Sequence, residues 1–142
     1  MKKPNFFIIG APKCGTTSLA AWLSEHSNIY FSPVKEPSFF DTDRKFVGRF
    51  SWAEYDRMFQ EAGPDHLAVG EGSTAYLRSG VAVKSILSYA DNPKFIVCLR
   101  DPVEMAISLH GQLLRMGIET EKDFEKAWHL QEKRAGGKGL PF

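Results

Sequence analysis

The 142 residues include only two cysteines, Cys14 and Cys98. That is too few for a disulfide framework, and no set of cysteines and histidines has metal-ligand spacing. Both are expected as reduced thiols. Charge of one sign is also lacking: 18 lysines and arginines oppose 17 aspartates and glutamates, for a net charge of +1. Bulk charge therefore attracts neither nucleic acid nor an anionic membrane, and any anion site has to be local. Long hydrophobic runs are missing. Phe6 to Ile9 is ended by Gly10, too short for a signal-peptide core and far below the roughly 20 apolar residues of a membrane span. These absences lead to an expectation of a cytoplasmic chain with no nucleic-acid and no membrane partner. The four histidines, His26, His66, His110 and His129, show no ligand pattern, so no metal is expected. There is no internal repeat, low-complexity tract or domain linker.

What is present is an ordinary globular composition, 43% hydrophobic and 25% charged, in a chain long enough for a single domain with a core. "NFFIIG" is a continuous apolar run suited to a strand buried on both faces. "TTSLAAWLSEHS" has a helical apolar stripe, with Thr16 or Thr17 as its cap. "NIYFSP" reads as a second strand, and "KEPSFFDTDRKF" as a loop anchored by aromatics. "SWAEYDRMFQEAG" reads as a helix capped by Ser51 and stopped at Gly63. "HLAVGEGS" gives a third strand, "GVAVKSILSYA" a helix and "PKFIVCLRDP" a fourth strand. "PVEMAISLHGQLLRMG" begins a helix with Pro102 in its first turn, and "EKDFEKAWHLQEKRA" reads as one last helix. Residues 136–142 are expected to form a flexible glycine-rich tail. Strands alternating with helices predict a three-layer α/β/α fold around a mostly parallel sheet, with right-handed crossovers.

Chemistry concentrates first at "FIIGAPKCGTTSL". Gly10 and Gly15 bracket four residues, nearly the phosphate-binding pattern G-x-x-x-x-G-K-[ST]. Threonine stands where the lysine belongs, and the lysine has moved inside the loop as Lys13. Such a strand–loop–helix aims backbone N–H groups and the positive end of a helix at an anion. Thr16, Thr17 and Ser18 add hydroxyl donors, and Cys14 reads as a small filler. Lys13 would lean over the outer end of the ligand, which suits a single transferring group carried on one phosphate. Arg100 ends the fourth strand, and a guanidinium grips phosphate in bidentate fashion. Ser108 follows eight residues later. A salt bridge from Arg100 to Asp101 or Glu104 is the alternative reading.

These stretches resemble the family of sulfotransferases that use 3′-phosphoadenosine 5′-phosphosulfate (PAPS). "APKCGTTSL" resembles its 5′-phosphosulfate loop, and "RDPVEMAISLH" its 3′-phosphate motif. "KEPSFF" resembles the segment that carries the catalytic glutamate in the carbohydrate-type members related to heparan sulfate enzymes. The resemblance implies a P-loop-like α/β fold and transfer of a sulfuryl group to an acceptor hydroxyl without a metal, releasing adenosine 3′,5′-bisphosphate (PAP). Carried over by position, it assigns catalysis to Lys13 and Glu36. It assigns donor binding to Lys13, Cys14, Gly15, Thr16, Thr17, Ser18, Arg100 and Ser108. The acceptor is expected to be a small-molecule or carbohydrate hydroxyl.

Glu36 would take the proton of the attacking hydroxyl, with His66 as a rival base. "GEGSTAYL" resembles a segment in which many members carry a lysine after the glutamate; here that place is Gly72. Glu71 and Ser73 are read either as lining the cleft or as part of an ordinary turn, and Phe39 and Phe40 as core anchors. Because catalytic domains of the family run longer, the chain is expected to be an incomplete domain, weakly active by itself. Its open sheet edge would suit a missing C-terminal segment or a second copy. A nucleotide kinase or hydrolase with an altered loop, and a non-catalytic nucleotide-binding fragment, are the other readings the residues allow.

Overall fold

The computed structural model describes residues 2–44 and 49–139. They fall into two compact units, Met1–Leu99 and Arg100–Phe142. The end of the loop predicted over 35–46, and residues 140–142 of the predicted tail, lie outside the described residues.

The first unit holds a four-stranded sheet made of β1 (Phe6–Gly10), β2 (Ile29–Phe31), β3 (Ala68–Gly72) and β4 (Lys94–Val97), ordered β2-β3-β1-β4. Its three pairings are parallel, with Phe6 opposite Gly70 on one side and Lys94 on the other. β1 is central and its five residues are buried, as its unbroken apolar run predicts. Phe7 and Ile9 join a core with Phe40, Tyr55, Phe59, Tyr76 and Ile86. β4 is the edge of these four strands, and Val97 is 42% exposed. A strand paired on one side cannot bury itself as fully as its apolar sequence suggests.

Helices α1 (Thr16–Ser24), α2 (Trp52–Arg57) and α3 (Ala82–Tyr89) join the strands. Three predicted details differ. The cap of α1 is Gly15 at φ 81, not Thr16 or Thr17, and no side chain caps that end. α2 has the Ser51 cap and a full capping box with Glu54, but its α-helix stops at Arg57, well before Gly63. After β3 the chain enters a 3₁₀ helix, Thr74–Arg78, for which no element is predicted from the sequence.

The second unit contains α4 (Pro102–Arg115), α5 (Phe124–His129) and α6 (Gln131–Ala135). Asp101 caps α4, accepting from the amides of Val103 at 3.0 Å and Glu104 at 3.1 Å, and Pro102 opens the helix. The last predicted helix is interrupted at Leu130, giving α5 and α6. Arg134 of α6 grips buried Glu119 through both guanidinium NH groups, at 2.6 and 3.0 Å. This contact holds the Glu119 carboxyl down to about 2. Among the described residues no helix is long and apolar enough to cross a membrane.

Candidate functional site

The loop after β1 is tied at its base to the chain beyond β4. Cys98 donates its N–H to the Gly10 carbonyl at 2.7 Å, and Ala11 donates to the Cys98 carbonyl at 2.9 Å. Lys13 has φ 63 and Gly15 φ 81, so the loop turns twice through the left-handed region before α1 begins. Gly15 suits this conformation, and a Cβ placed on it would meet nothing within 4 Å. The first turn of α1 contains no acidic residue and no side-chain cap. Neither a first-turn carboxylate nor a side-chain cap therefore offsets the positive end of the helix among the described residues. Half-buried Lys13 has no hydrogen-bond or ion-pair partner among the described residues. The Cys14 thiol turns back to the Pro12 carbonyl at 3.4 Å, which fits a filler.

The segment after β2 comes to the mouth of this loop. Lys35 donates its Nζ to the Thr17 hydroxyl at 2.6 Å. The next residue, Glu36, is half-buried and sits at φ 53. Its N–H donates to the Gly72 carbonyl at 3.1 Å, while its carboxylate accepts from the Thr74 N–H at 2.8 Å and the Thr74 hydroxyl at 3.1 Å. Two of the residues expected to carry chemistry, Lys13 and Glu36, thus occupy a conformation that costs about 1–3 kcal/mol outside glycine.

Beyond Pro37, the next two residues are also held by hydrogen bonds. Ser38 donates its amide to the Ser73 hydroxyl at 3.0 Å, and Phe39 donates to the Tyr76 hydroxyl at 3.0 Å. Arg49 donates to the carbonyls of Ser38 and Asp41. Phe39 stacks on Tyr55 at 4.2 Å and Phe40 is buried, so both are the core anchors expected.

Glu71 and Ser73 do not line an open cleft: both are fully buried. The Glu71 carboxylate accepts from the hydroxyls of Ser73 at 2.9 Å, Tyr76 at 2.7 Å and Tyr55 at 3.3 Å. Burial pushes its carboxyl up to about 7, with the nearby Glu36 charge adding to the rise against those hydrogen bonds. The phenols of Tyr55 and Tyr76 are raised, mainly by burial. His66 is occupied elsewhere: its Nδ1 accepts from the Gly63 amide at 2.9 Å and its ring meets Tyr30. A cavity of about 680 Å³ lies among Phe39, Phe40, Trp52, Tyr89, Lys3 and Lys84, and neither Lys13 nor Glu36 lines it.

In the second unit, taken by itself, Arg100 pairs through Nε with Glu104 at 2.8 Å, as one sequence reading allowed. The two side chains are 43% and 61% exposed. An exposed i,i+4 pair is worth only about 0.3–0.5 kcal/mol, so a phosphate could readily displace it. Ser108 lies in the second turn of α4 and is half-buried. Among the described residues no group of three or more His, Cys, Asp or Glu is arranged to hold a metal ion.

Sequence reasoning missed Lys35 as a contact of the loop, Thr74 as the partner of Glu36, and Glu71 with Tyr76 as a support beneath it. Proximity of Lys35 to Glu36 in the chain was the available signal for the first. The others needed the 3₁₀ helix, which no apolar periodicity announces.

Comparison with known proteins gives a consistent result. The family model described as "Sulfotransferase domain" matches residues 3–139. Human carbohydrate sulfotransferase 15 is 49% identical over 82 residues, which is 58% of this chain and 14% of that protein. Mouse heparan sulfate glucosamine 3-O-sulfotransferase 5 is 27% identical over 123 residues, covering 87% of this chain and 34% of that one. A crystal structure of a sulfotransferase from Alicyclobacillus acidocaldarius superposes with a TM-score of 0.83 at 32% identity, over 99% of this chain and 62% of that one.

Proposed function

Because this chain belongs to the sulfotransferase domain family, we propose that it moves a sulfuryl group from PAPS to an acceptor hydroxyl. One observation carries the assignment of roles. The Lys35 ammonium lies 2.6 Å from Thr17 Oγ1 in the first turn of α1, and Glu36 is the next residue in the chain, with its carboxylate held by Thr74. A cation at an anion cradle, with a carboxylate one residue away in the chain, supports this reading of such a transfer. The cradle fits its ligand in a second respect: an uncapped helix start without acidic neighbours leaves its N–H groups available to an anion.

The donor supplies the activated sulfuryl group. The acceptor oxygen bonds to sulfur as the sulfur–oxygen bond to the phosphate breaks, and the hydroxyl proton passes to the Glu36 carboxylate. Lys13, Lys35 and the amides of the loop stabilise negative charge on the departing phosphate and the transferring group. Thr16, Thr17 and Ser18 add hydroxyl donors. Arg100 and Ser108 hold the 3′-phosphate, with Arg100 exchanging Glu104 for it, and so fix the donor's orientation. The relatives' names support a carbohydrate hydroxyl as acceptor. The chain spans 14% to 34% of the length of those two relatives.

Transfer of labelled sulfate from PAPS to a panel of oligosaccharides tests the reading. Glu36→Gln is expected to lower kcat by ~10²-fold or more, the worth of general-base help, with little change in donor affinity. Equal turnover by the variant would remove Glu36 from the role of base.

A further inference from the structure

Between the proposed base and the core lies a hydrogen-bond relay that the transfer chemistry leaves unused. Donation runs one way through it. The amides of Ser38 and Phe39 donate to the hydroxyls of Ser73 and Tyr76, and those hydroxyls donate to the two oxygens of Glu71. Tyr55 adds a third hydroxyl. The same short stretch of chain also offers the Gly72 carbonyl and the Thr74 N–H that hold Glu36 directly. Residues 71–76 therefore clamp residues 36–39 at four points.

A fully buried carboxylate with only hydroxyl partners is an expensive way to fill a core. No cation is paired with it among the described residues. An amide side chain could not receive three O–H donors. From this geometry we infer that Glu71 is a positioning residue: through Ser73 and Tyr76 its carboxylate fixes the backbone at 38–39 and thereby sets the Glu36 carboxylate at the site. The role rests on the reading of Glu36 as base.

The relay makes that setting dependent on pH. Tyr55 faces Glu71 from α2, Tyr76 from the 3₁₀ helix, and Glu36 from the loop after β2. Both phenols are raised and stay neutral across the accessible range. Glu71 is thus the group in the relay that titrates near neutrality. Ionised, it accepts from all three hydroxyls. Protonated, one of its oxygens becomes a donor, a hydroxyl loses its acceptor, and the hold on residues 38–39 slackens. Activity should therefore rise with pH through about 7. Stability runs the opposite way. The folded value lies above the ordinary 4.5, so the contribution from this group is full below 4.5 and is lost as pH climbs through about 7.

The test combines amide NMR of the whole protein with kinetics on Glu71→Gln. The Ser38 and Phe39 resonances should titrate together with a midpoint near 7 and stop titrating in the variant. kcat should fall by ~10²-fold, the scale of a misplaced catalytic group, while affinity for PAP holds and the rising pH limb disappears. Amides indifferent to both pH and Glu71→Gln, or an unchanged kcat and pH profile, would overturn the inference. If Glu71→Gln does not fold, Tyr76→Phe and Ser73→Ala replace it. Each must shift the amide it serves, and failure of both to do so is equally decisive. The NMR arm does not depend on sulfuryl transfer: wild-type protein inert toward every acceptor would count against the proposed reaction, whereas silent amides count against the relay.

Discussion

At the scale of single residues, two of the proposed site residues have backbones in the strained left-handed region. Lys13 and Glu36 sit at φ 63 and φ 53, and Glu36 is held there by its contacts to Gly72 and Thr74. Lys35 is the residue whose importance the structure raises most. Its ammonium is held by a hydroxyl on the first turn of α1, beside the end at which the proposed function puts the 5′-phosphosulfate. Gly72 stands where many relatives carry a lysine, according to the resemblance seen in the sequence, and Glu36, the neighbour of Lys35, bonds directly to the Gly72 carbonyl. Lys35→Met keeps the stem and removes the charge. It should cost about 10²-fold in kcat and leave the thermal midpoint nearly unchanged, since the ammonium is exposed and bonds only a hydroxyl. Melting curves beside steady-state kinetics check both halves, and a variant with wild-type turnover would make Lys35 a bystander.

At the scale of elements, β1 and β3 position the whole arrangement, because the loop leaves the end of one and the Glu71–Tyr76 clamp leaves the end of the other. Their register depends on a glycine. Gly70 lies opposite Phe6, and a Cβ there would drive into the Phe6 ring. Gly70→Ala should destabilise the protein by about 1–3 kcal/mol through overpacking, read as a shift in the denaturation midpoint with an unchanged m-value; a neutral result would mean that the ring can turn aside freely. Apolar runs and turn residues made the strands, their order of alternation with helices and the phosphate-type loop legible in the sequence. Less visible were features set by contacts distant in the chain. The early stop of α2 and the break at Leu130 follow no periodicity. The 3₁₀ helix after β3 carries Tyr76, whose partners Phe39 and Glu71 come from two other segments. Glu71 read as an ordinary turn residue because its sequence neighbours are small, whereas its burial comes from Tyr55 and Tyr76.

At the scale of the whole molecule, the proposed donor has two phosphates for two different motifs to hold. Under the proposed function the glycine loop and Lys13 would address the 5′ end, and Arg100 with Ser108 the 3′ end. The chain covers 62% of the solved relative it resembles throughout its own length, so both motifs fall within the shared portion. Binding is the most direct check, because it needs neither an acceptor nor turnover. Calorimetry should compare PAP with AMP, which lacks only the 3′-phosphate, on wild type and Arg100→Ala. A charged hydrogen-bond pair is worth about 1.5–3 kcal/mol, so wild type should prefer the bisphosphate by at least about tenfold and Arg100→Ala should lose most of that preference. Equal affinity of the wild type for the two nucleotides would contradict the account.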